Sequence, residues 1–316
     1  MIEQERTVAG SAVVVVAVLT YRRPDDLAAL LPLLIEQTRA VPCRASVLVV
    51  DNDSEGGARE QITALASGEV RYVHEPTPGI AAARNRALDE AGDAGLLVFI
   101  DDDERPTPEW LARLLDTYWR GQPAAVVGPV VSRYEVEPGP WITAGRLFDR
   151  RRLATGTSVD VAATNNLLLD LAQQRRLGPR FDLRFGLSGG SDTLFTRALV
   201  RAGGRIVWCD EAVVIDIVPA GRVTRSWVLR RALRSGNTWS RTSIVLAGGP
   251  AARLVVRVHC TGRGLIRVLA GAAWWLIGLL TGSLRRRARG MRAVFRGTGF
   301  VVGAWGIVYS EYRRPR

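Results

Sequence analysis

Short apolar runs alternate with segments of helical periodicity through the first two-thirds of the chain. Continuous runs of large and β-branched residues predict strands that are buried on both faces. These runs cover residues 13–19, 47–50, 70–73, 96–100 and 126–131. Such strands in alternation with helices predict an α/β fold, in which a mostly parallel sheet carries helices on both faces.

The helical segments carry their own start and stop signals. Pro24 opens a helix with a leucine face, formed by Leu27, Leu30, Leu31 and Leu34. A second helix is predicted to start at Thr107 as N-cap, with Pro108 as its first helical residue. Further helices are predicted over 61–66, 80–91 and 193–202, strands over 159–169 and 205–217, and a long loop over 134–158.

Polar side chains follow three of the predicted strands at the point where each strand ends. The first strand is followed by Thr20, Tyr21 and Arg23, the second by Asp51 and Asp53, and the fourth by Asp101, Asp102, Asp103 and Glu104. The carboxyl ends of parallel strands meet at one edge of a sheet, where ligands bind in such folds. We therefore expect these side chains to surround one site.

The run of four acids at 101–104 is the most informative single feature. Adjacent carboxylates repel one another unless a cation neutralises them. Mg²⁺ and Mn²⁺ prefer carboxylate oxygens and often share their coordination with substrate phosphates. The run predicts a divalent metal held by Asp101 and Asp103 beside a diphosphate. The alternative interpretation is a solvated acidic turn that caps the helix near Pro108.

Three weaker features point to the same chemistry, each with a structural alternative. Asp51 and Asp53 suit hydrogen bonds to a base or ribose, or alternatively form Asx turns. Arg84, near the start of a helix of small residues, suits contact with a phosphate or base, or alternatively belongs to a closely packed helix. Asp192 follows two glycines and suits a general base, or alternatively an N-cap.

Taken in order, five segments resemble the family 2 glycosyltransferases, which have a GT-A fold. The resemblance covers roughly residues 12–240, and its segments are 18–24, 49–54, 79–85, 99–104 and 189–195. It implies inverting, hexosyltransferase-type transfer of a sugar from a nucleotide-diphosphate donor to an acceptor hydroxyl. Many members carry Glu where this chain has Ser191, and many place a His near the position of Asp216.

The resemblance also implies roles for individual residues. Asp103 is the expected direct metal ligand, with Asp101, and Asp192 is the expected base. The donor is expected to contact Thr20, Tyr21, Arg23, Asp51, Asp53, Arg84, Asp101 and Asp102. Arg231 and Arg234 suit a clamp on the diphosphate, or alternatively belong to a solvated or membrane-facing basic helix.

Charge divides the chain into two unequal parts. The 316 residues carry a net charge of +12 and no Lys. Residues 220–316 contain 19 Arg and one acid, whereas the preceding part is mildly acidic. The mildly acidic first part argues against a chain built to coat nucleic acid, and the basic last third predicts an anionic surface, either phospholipid or nucleic acid. The expected partner is a membrane surface and not nucleic acid. Three distant Cys indicate neither a disulfide framework nor a zinc site.

The C-terminal region contains two uncharged stretches, residues 268–282 and 297–310. Each is shorter than the roughly 20 residues that a spanning helix needs. A basic loop lies between them, and we expect helices that lie in the cytoplasmic face of a membrane. The alternative is a helical subdomain packed on the catalytic domain. The start of the chain, 1–10, lacks the pattern of a signal peptide.

The predicted organisation is a catalytic domain over 1–219 and a basic, membrane-associated region over 220–316. Within the first, 12–131 is expected to bind the nucleotide sugar and 159–219 the acceptor. The expected acceptor is a saccharide or a lipid-linked molecule, in cell-envelope or exopolysaccharide synthesis. Two alternatives are a sugar nucleotidyltransferase, which would need a Gly-rich, Lys-bearing loop after the first strand, and a non-enzymatic membrane-binding protein, which leaves the acidic strand ends unexplained.

Overall fold

The computed structural model describes residues 12–64 and 68–309. These fold into two compact units. The first unit contains residues 12–131 without 65–67, together with 150–187 and 195–216; the second contains 132–149, 188–194 and 217–309. Their roles as the predicted catalytic and membrane-associated domains stay predictions.

In the part of the chain that the structure describes, ten strands form two sheets. They are β1 (Val13–Thr20), β2 (Arg44–Asp51), β3 (Val70–His74), β4 (Leu96–Asp101), β5 (Glu104–Pro106), β6 (Ala125–Val127), β7 (Val130–Tyr134), β8 (Asn166–Asp170), β9 (Ile206–Trp208) and β10 (Val214–Val218). The larger sheet has the order β3-β2-β1-β4-β8-β6-β9, and the smaller has the order β5-β10-β7.

The larger sheet is mostly parallel, as predicted. The neighbours β3-β2, β2-β1, β1-β4 and β6-β9 are parallel, whereas β8 runs antiparallel to β4 and β6. In the β1–β2 pair Thr20 lies opposite Asp51, and in the β1–β4 pair Leu19 lies opposite Asp101. The polar strand ends therefore lie side by side at one edge.

Ten α-helices accompany the strands within residues 12–64 and 68–309. They are α1 (Pro24–Ala40), α2 (Arg59–Ala64), α3 (Ile80–Glu90), α4 (Trp110–Trp119), α5 (Pro140–Gly145), α6 (Leu171–Leu177), α7 (Ser191–Arg201), α8 (Arg225–Val245), α9 (Pro250–Leu280) and α10 (Leu284–Ala304). Short 3₁₀ helices cover Leu183–Phe185 and Ala220–Arg222.

Helices cover both faces of the larger sheet. Alternate residues of β1 accordingly pack into two different hydrophobic cores. Val14, Val16 and Val18 pack with the leucine face of α1 and with Trp110 of α4. Val15, Ala17 and Leu19 pack with the alanines of α3 and with residues of α7. A strand buried on both faces is the reason for the continuous apolar run in its sequence.

The predicted capping of α4 was wrong. The helix begins at Trp110, and the residue before it, Glu109, has a left-handed φ of 60°. The hydroxyl of Thr107 donates instead to the carbonyl oxygen of Val213, at 2.9 Å. The local pattern predicted that Thr107 caps α4, but its side chain instead bonds to a residue that is distant in the sequence.

Several predicted boundaries also need correction. The run 126–131 divides between β6 and β7, which lie in different sheets. The predicted loop 134–158 contains α5, and only the Asn166–Asp170 part of 159–169 is a strand. Helix α2 starts two residues earlier than predicted, and the last residues of the predicted 61–66 helix lie outside the described part of the chain.

The division of 126–131 has a visible cause at Gly128. A Cβ built on Gly128 would lie 2.1 Å from the carbonyl oxygen of Ala212. The side-chain amide of Asn166 donates to the carbonyl oxygens of Pro129 and Ala212, at 3.0 and 2.7 Å. A close backbone approach, possible only at glycine, therefore separates the two strands.

In the second unit, α9 and α10 pack through glycines. A Cβ built on Gly264 would lie 2.7 Å from the carbonyl oxygen of Gly297, and one on Gly271 would lie 2.7 Å from that of Gly290. Small residues at such positions allow two helix backbones to approach closely. The predicted C-terminal helices are present, and they form a closely packed pair.

Helix α9 changes the interpretation of the first uncharged stretch. Residues 268–280 belong to a continuous helix of 31 residues, Pro250–Leu280. Among the residues that the structure describes, this is the one helix long and apolar enough to cross a membrane, by length and composition. Most of its apolar side chains are exposed, among them Val255, Ile266, Leu269 and Leu280.

Candidate active site

The acidic turn at the end of β4 is held by residues that follow β1. The hydroxyl of Thr20 donates to Oδ2 of Asp102 at 2.9 Å, and Nη1 of Arg23 donates to Oδ1 at 2.8 Å. The same guanidinium nitrogen lies 2.8 Å from Oδ2 of Asp103. The pairing of β1 with β4 thus brings Thr20, Arg23 and the acidic turn together, as the strand-end argument predicted.

Asp102 is largely occupied by these contacts. Its side chain is only 6% exposed, with Thr20 on one oxygen and Arg23 on the other. Burial raises its pKa to about 6, although Arg23 and Thr20 favour the charged form. Asp102 therefore orders the turn, and its predicted contact with the donor stays a prediction.

Asp101 occupies a less compensated position. Burial raises the pKa of its carboxyl to about 7; the nearby charge of Arg84 opposes this shift, and Asp103 and Asp102 add to it. A carboxylate in this environment favours a cation that would offset both the lost hydration and the like charges. Arg84 and Asp101 thus lie within electrostatic reach of each other.

Glu104 is a site residue whose role the sequence argument missed. It is 1% exposed, and its Oε1 accepts a hydrogen bond of 2.5 Å from the side-chain amide of Asn165. Burial and the neighbouring Asp101 raise its pKa well above the ordinary value. The last of the four acids therefore serves the interior of the turn rather than its ligand-facing side.

The donor set fits a metal that is shared with a substrate. No group of three or more His, Cys, Asp or Glu side chains within 12–64 and 68–309 is arranged to enclose a metal ion. Mg²⁺ in phosphate-processing sites is commonly bound by one or two carboxylates, with waters and substrate phosphates completing its coordination. Asp101 and Asp103, flanking the occupied Asp102, suit that partial coordination.

Asp51 forms the Asx turn that was its alternative interpretation. Its Oδ1 accepts from the backbone N–H of Asp53 at 2.9 Å, and its Oδ2 accepts from the backbone N–H of Ala58 at 2.9 Å and the hydroxyl of Tyr72 at 3.1 Å. Burial and this contact with Asp51 raise the pKa of Tyr72 to about 12. Asp51 thus shapes the loop after β2.

The two neighbours of Asp51 have different roles. Asp53 accepts a hydrogen bond of 3.1 Å from Nε of Arg22. Asn52 donates to the carbonyl oxygens of Glu75 and Thr77, at 2.8 and 2.7 Å. Asn52 therefore ties the end of β2 to the segment before α3, and the sequence argument assigned it no role.

The loop before α3 is close-packed, and it sets the position of Arg84. Gly79 has a φ of 116°, and its N–H donates to Oδ1 of Asn52 at 2.9 Å. A Cβ at this position would lie 3.1 Å from the backbone of Gly186. Arg84 is buried one turn into α3, with its Cζ 5.5 Å from the centroid of the Phe181 ring. The segment is therefore closely packed, and contact of Arg84 with a phosphate or base stays a prediction.

Asp216, which the resemblance places near the position of a His in many members, carries an ion pair. Nη2 of Arg150 pairs with its Oδ2. In the β5–β10 pair Asp216 lies opposite Glu104, and the charge of Arg150 partly opposes the rise in the pKa of Glu104. Arg150 therefore pairs with Asp216 and also acts electrostatically on Glu104 of the adjacent strand.

The predicted base lies in the second unit. Asp192 is in the first turn of α7, and its Oδ1 accepts from the backbone N–H of Thr193 at 2.7 Å. The preceding Gly189 and Gly190 have φ of 76° and 98°. A Cβ on Gly190 would lie 2.3 Å from Cγ2 of Thr238 in α8.

The predicted clamp residues lie on α8, in the same unit. Cδ of Arg234 would lie 3.8 Å from a Cβ built on Gly189, so this arginine is beside the glycine pair. The Cζ of Arg231 is 5.0 Å from the centroid of the Trp227 ring, one turn earlier in the helix. A diphosphate clamp by the two arginines stays a prediction.

A mostly parallel sheet with an acidic turn at the end of a central strand defines the GT-A class of glycosyltransferases. The chain belongs to glycosyl transferase family 2, whose family model matches residues 15–175. It is 37% identical over 230 residues to the succinoglycan biosynthesis protein ExoM of Rhizobium meliloti (strain 1021), covering 72% of this chain and 74% of that protein. The chain is a glycosyltransferase, and neither alternative function is favoured.

Solved structures share the fold at low sequence identity. The S. aureus protein TarS, residues 1–349, in complex with UDP-GlcNAc, is 15% identical, with a TM-score of 0.52 and 90% of each chain covered. GalNAc-T7 with UDP, GalNAc and Mn²⁺ is 13% identical, with a TM-score of 0.53. The match covers 76% of this chain and 52% of that one, about half of its length.

Proposed function

We propose that the chain transfers a hexosyl group from a nucleoside-diphosphate sugar to a hydroxyl of a saccharide or lipid-linked acceptor, in the synthesis of a cell-envelope or extracellular polysaccharide. The observation that carries this proposal is the convergence of Thr20, Arg23 and the acidic turn at the carboxyl end of the sheet. The similarity to a succinoglycan biosynthesis protein supports a polysaccharide product.

In the proposed donor site, Asp101 and Asp103 hold a divalent cation, Mg²⁺ or Mn²⁺. When bound, this cation supplies charge neutralisation for the leaving diphosphate. Arg23 lies 2.8 Å from the carboxylate of Asp103 and holds it in its position in the acidic turn. Arg84 adds a buried positive charge beside Asp101, and it favours binding of the anionic donor. Tyr21 and Asp53 contact the nucleoside in this proposal.

The proposed reaction is an in-line displacement. Asp192 removes the proton of the acceptor hydroxyl, and that oxygen forms a bond to the anomeric carbon of the sugar. The bond from the anomeric carbon to the diphosphate oxygen breaks, and its electron pair leaves with the nucleoside diphosphate. Attack from the opposite face inverts the anomeric configuration. The hydrogen bond from the backbone N–H of Thr193 orients the carboxylate of Asp192.

The second unit is proposed to associate with the cytoplasmic face of a membrane. Helix α9 exposes a row of large apolar side chains, including Val258, Leu265 and Leu276. Arg263 and Arg286 are exposed on the same helix pair, and arginine at an interface is attracted to anionic lipid. Apolar residues in contact with lipid, with cations at its surface, are typical of membrane-associated helices.

Metal-dependent donor binding tests the proposal. We expect UDP with Mn²⁺ to raise the melting temperature of the wild-type chain, and UDP with EDTA to leave it unchanged. Asp101→Asn and Asp103→Asn should each remove the effect. Asp93→Asn, at an exposed acid of the same size, is the matched control and should retain it. A metal-dependent shift that persists in both acidic-turn variants would exclude the proposed metal site.

The base is tested separately from the donor site. Asp192→Asn should keep the stabilisation by UDP and Mn²⁺ and reduce turnover by about 10²-fold or more, the scale of general-base catalysis. Donor hydrolysis and transfer to an oligosaccharide acceptor would both be measured. Normal turnover in this variant would rule out Asp192 as the base.

A further inference from the structure

The helix pair α9–α10 contains a cluster of four arginines with no acidic partner within hydrogen-bonding distance. This arginine cluster consists of Arg263 and Arg267 of α9 and Arg292 and Arg296 of α10. The Cζ atoms of Arg263 and Arg267 lie 5.4 and 5.6 Å from the centroid of the Phe300 ring, so both guanidinium groups contact the same aromatic side chain. The cluster thus joins arginines of α9 and α10.

The third helix of the unit completes the surroundings of the cluster. A Cβ on Gly236 of α8 would lie 2.1 Å from the carbonyl oxygen of Arg296, so α8 packs directly against this part of α10. The Cζ of Arg263 lies 5.9 Å from the centroid of the Trp239 ring, also on α8. Three helices therefore pack around the base of the cluster, Arg263 stays exposed, and aromatic rings lie beside two of the guanidinium groups.

Two members of the cluster, Arg296 and Arg292, have lowered pKa values. Burial lowers the pKa of Arg296, as do the charges of Arg267, Arg292 and Arg263. Burial and the charge of Arg289 lower the pKa of Arg292, and Asp149 only partly offsets them. In residues 12–64 and 68–309, no member of the cluster forms a salt bridge.

Two of the guanidinium groups also lack hydrogen bonds at buried atoms. The Nε atoms of Arg267 and Arg296 are buried and have no hydrogen-bond partner among the described residues. A buried donor without a partner destabilises the fold, and buried like charges add to that cost. An anion with several oxygen acceptors would satisfy the donors and offset the repulsion at once, which is the chemistry of a phosphate.

The surface beside the cluster indicates what carries the phosphate. Ala270, Trp274 and Ile277 follow Arg267 at helical spacings of three and four residues, so they continue the same stripe along α9. All three are exposed. A cationic site that continues into an exposed apolar stripe matches a ligand with a phosphate at one end and an aliphatic chain at the other.

We propose that the arginine cluster binds the phosphate or diphosphate head group of a lipid, with the aliphatic chain along Ala270, Trp274 and Ile277. The proposal does not require the transfer reaction proposed above, because it rests on the second unit alone. The lipid is either a phospholipid of the bilayer or a molecule with a diphosphate on an isoprenoid chain, and both present the same chemistry to the cluster.

Binding of inorganic pyrophosphate to the full-length chain in detergent is the first test, measured by calorimetry. EDTA is present, so that the metal-dependent acidic turn does not bind the probe. Arg267→Gln with Arg296→Gln should weaken binding about tenfold or more, because each lost guanidinium removes a charge-assisted hydrogen bond. Arg253→Gln with Arg285→Gln removes two exposed arginines from the same helices and is the matched control, expected to bind within about twofold of wild type.

A melting curve separates loss of binding from loss of folding. The cluster variant should melt at or above the wild-type temperature, because it removes repulsion, and pyrophosphate should stabilise only the wild type and the control. Equal weakening of binding in the two double variants would overturn the proposal, since it would indicate general attraction to a basic surface. A cluster variant that melts below the control would indicate a structural role for these arginines and would also count against the proposal.

Competition identifies the lipid. Vesicles of phosphatidylglycerol and, separately, farnesyl diphosphate are added to the chain loaded with pyrophosphate. Displacement by the vesicles assigns the site to bilayer phospholipid, and displacement by farnesyl diphosphate alone assigns it to an isoprenoid diphosphate. If neither displaces pyrophosphate, the site does not take a lipid phosphate and the proposal is wrong.

Discussion

Two glycines of α9, two residues apart, should respond in opposite directions to the same substitution. A Cβ built on Gly264 would lie 2.7 Å from the carbonyl oxygen of Gly297 and 2.7 Å from Cγ2 of Val301. A Cβ on Gly262 would meet nothing within 4 Å. Substitution to alanine therefore changes the helix–helix contact at one position and leaves it unchanged at the other.

The expected magnitudes follow from this difference. Replacing Gly by Ala inside a helix stabilises it by about 0.8–1.0 kcal/mol, and Gly262→Ala should show that gain. Gly264→Ala gains the same amount but adds overpacking of a backbone contact, which costs about 1–3 kcal/mol or more because a carbonyl oxygen cannot move aside. We expect the net effect at Gly264 to be destabilising by about 1–2 kcal/mol.

Thermal unfolding of the full-length chain in mild detergent, followed by circular dichroism at 222 nm, measures both effects. A change of 1 kcal/mol corresponds to about 2–4 °C for a unit of this size. Gly262→Ala should melt above the wild type and Gly264→Ala below it. If both variants shift in the same direction by the same amount, the close packing of α9 on α10 does not determine the stability of this unit, and the reasoning is refuted.

Two further predictions use matched pairs. Arg23→Met should destabilise the first unit by about 2–3 kcal/mol in urea unfolding, because Asp102 and Asp103 lose a partially buried cation whose side chain is 34% exposed. Arg22→Met removes an exposed partner of Asp53 and should leave the midpoint of unfolding unchanged. An equal loss of stability in the two variants would contradict the structural role of Arg23. Gly190→Ala should reduce turnover and lower the melting temperature more than Gly203→Ala. Both glycines have a positive φ, 98° and 96°, but only a Cβ on Gly190 would clash, at 2.3 Å from Thr238. Equal effects in the two variants would show that backbone strain alone decides the outcome.

Much of the first unit was predictable because its information is local. Four of the five apolar runs each lie in one strand, β1 to β4, and the fifth divides between β6 and β7. The run of β1 is continuous because a strand covered on both faces must be apolar at every position. The leucines of α1 recur at helical spacing, and all four are fully buried. The position of the acidic run after such a strand was therefore enough to place it at the carboxyl edge of the sheet, where the paired ends of β1 and β4 hold it.

The sequence did not show which of the four acids would remain available to a ligand. Asp102 is taken by Thr20 and Arg23, residues 82 and 79 positions away, and Glu104 by Asn165, 61 positions away. Four adjacent carboxylates are chemically alike until the strand pairing assigns their partners. The Asx turn of Asp51 is by contrast a local motif, and a sequence argument could only weigh it against a ligand role.

The C-terminal third shows the same division. Its helices, its charge and its aromatic residues are properties of the sequence, and they predicted a basic helical region. Only the packing of α9 on α10 through Gly264 and Gly297 brings arginines about 30 positions apart into one cluster. The cause is physical: periodicity and composition are set by neighbouring residues, whereas the partners of a buried charge are set by segments that meet only after the chain has folded.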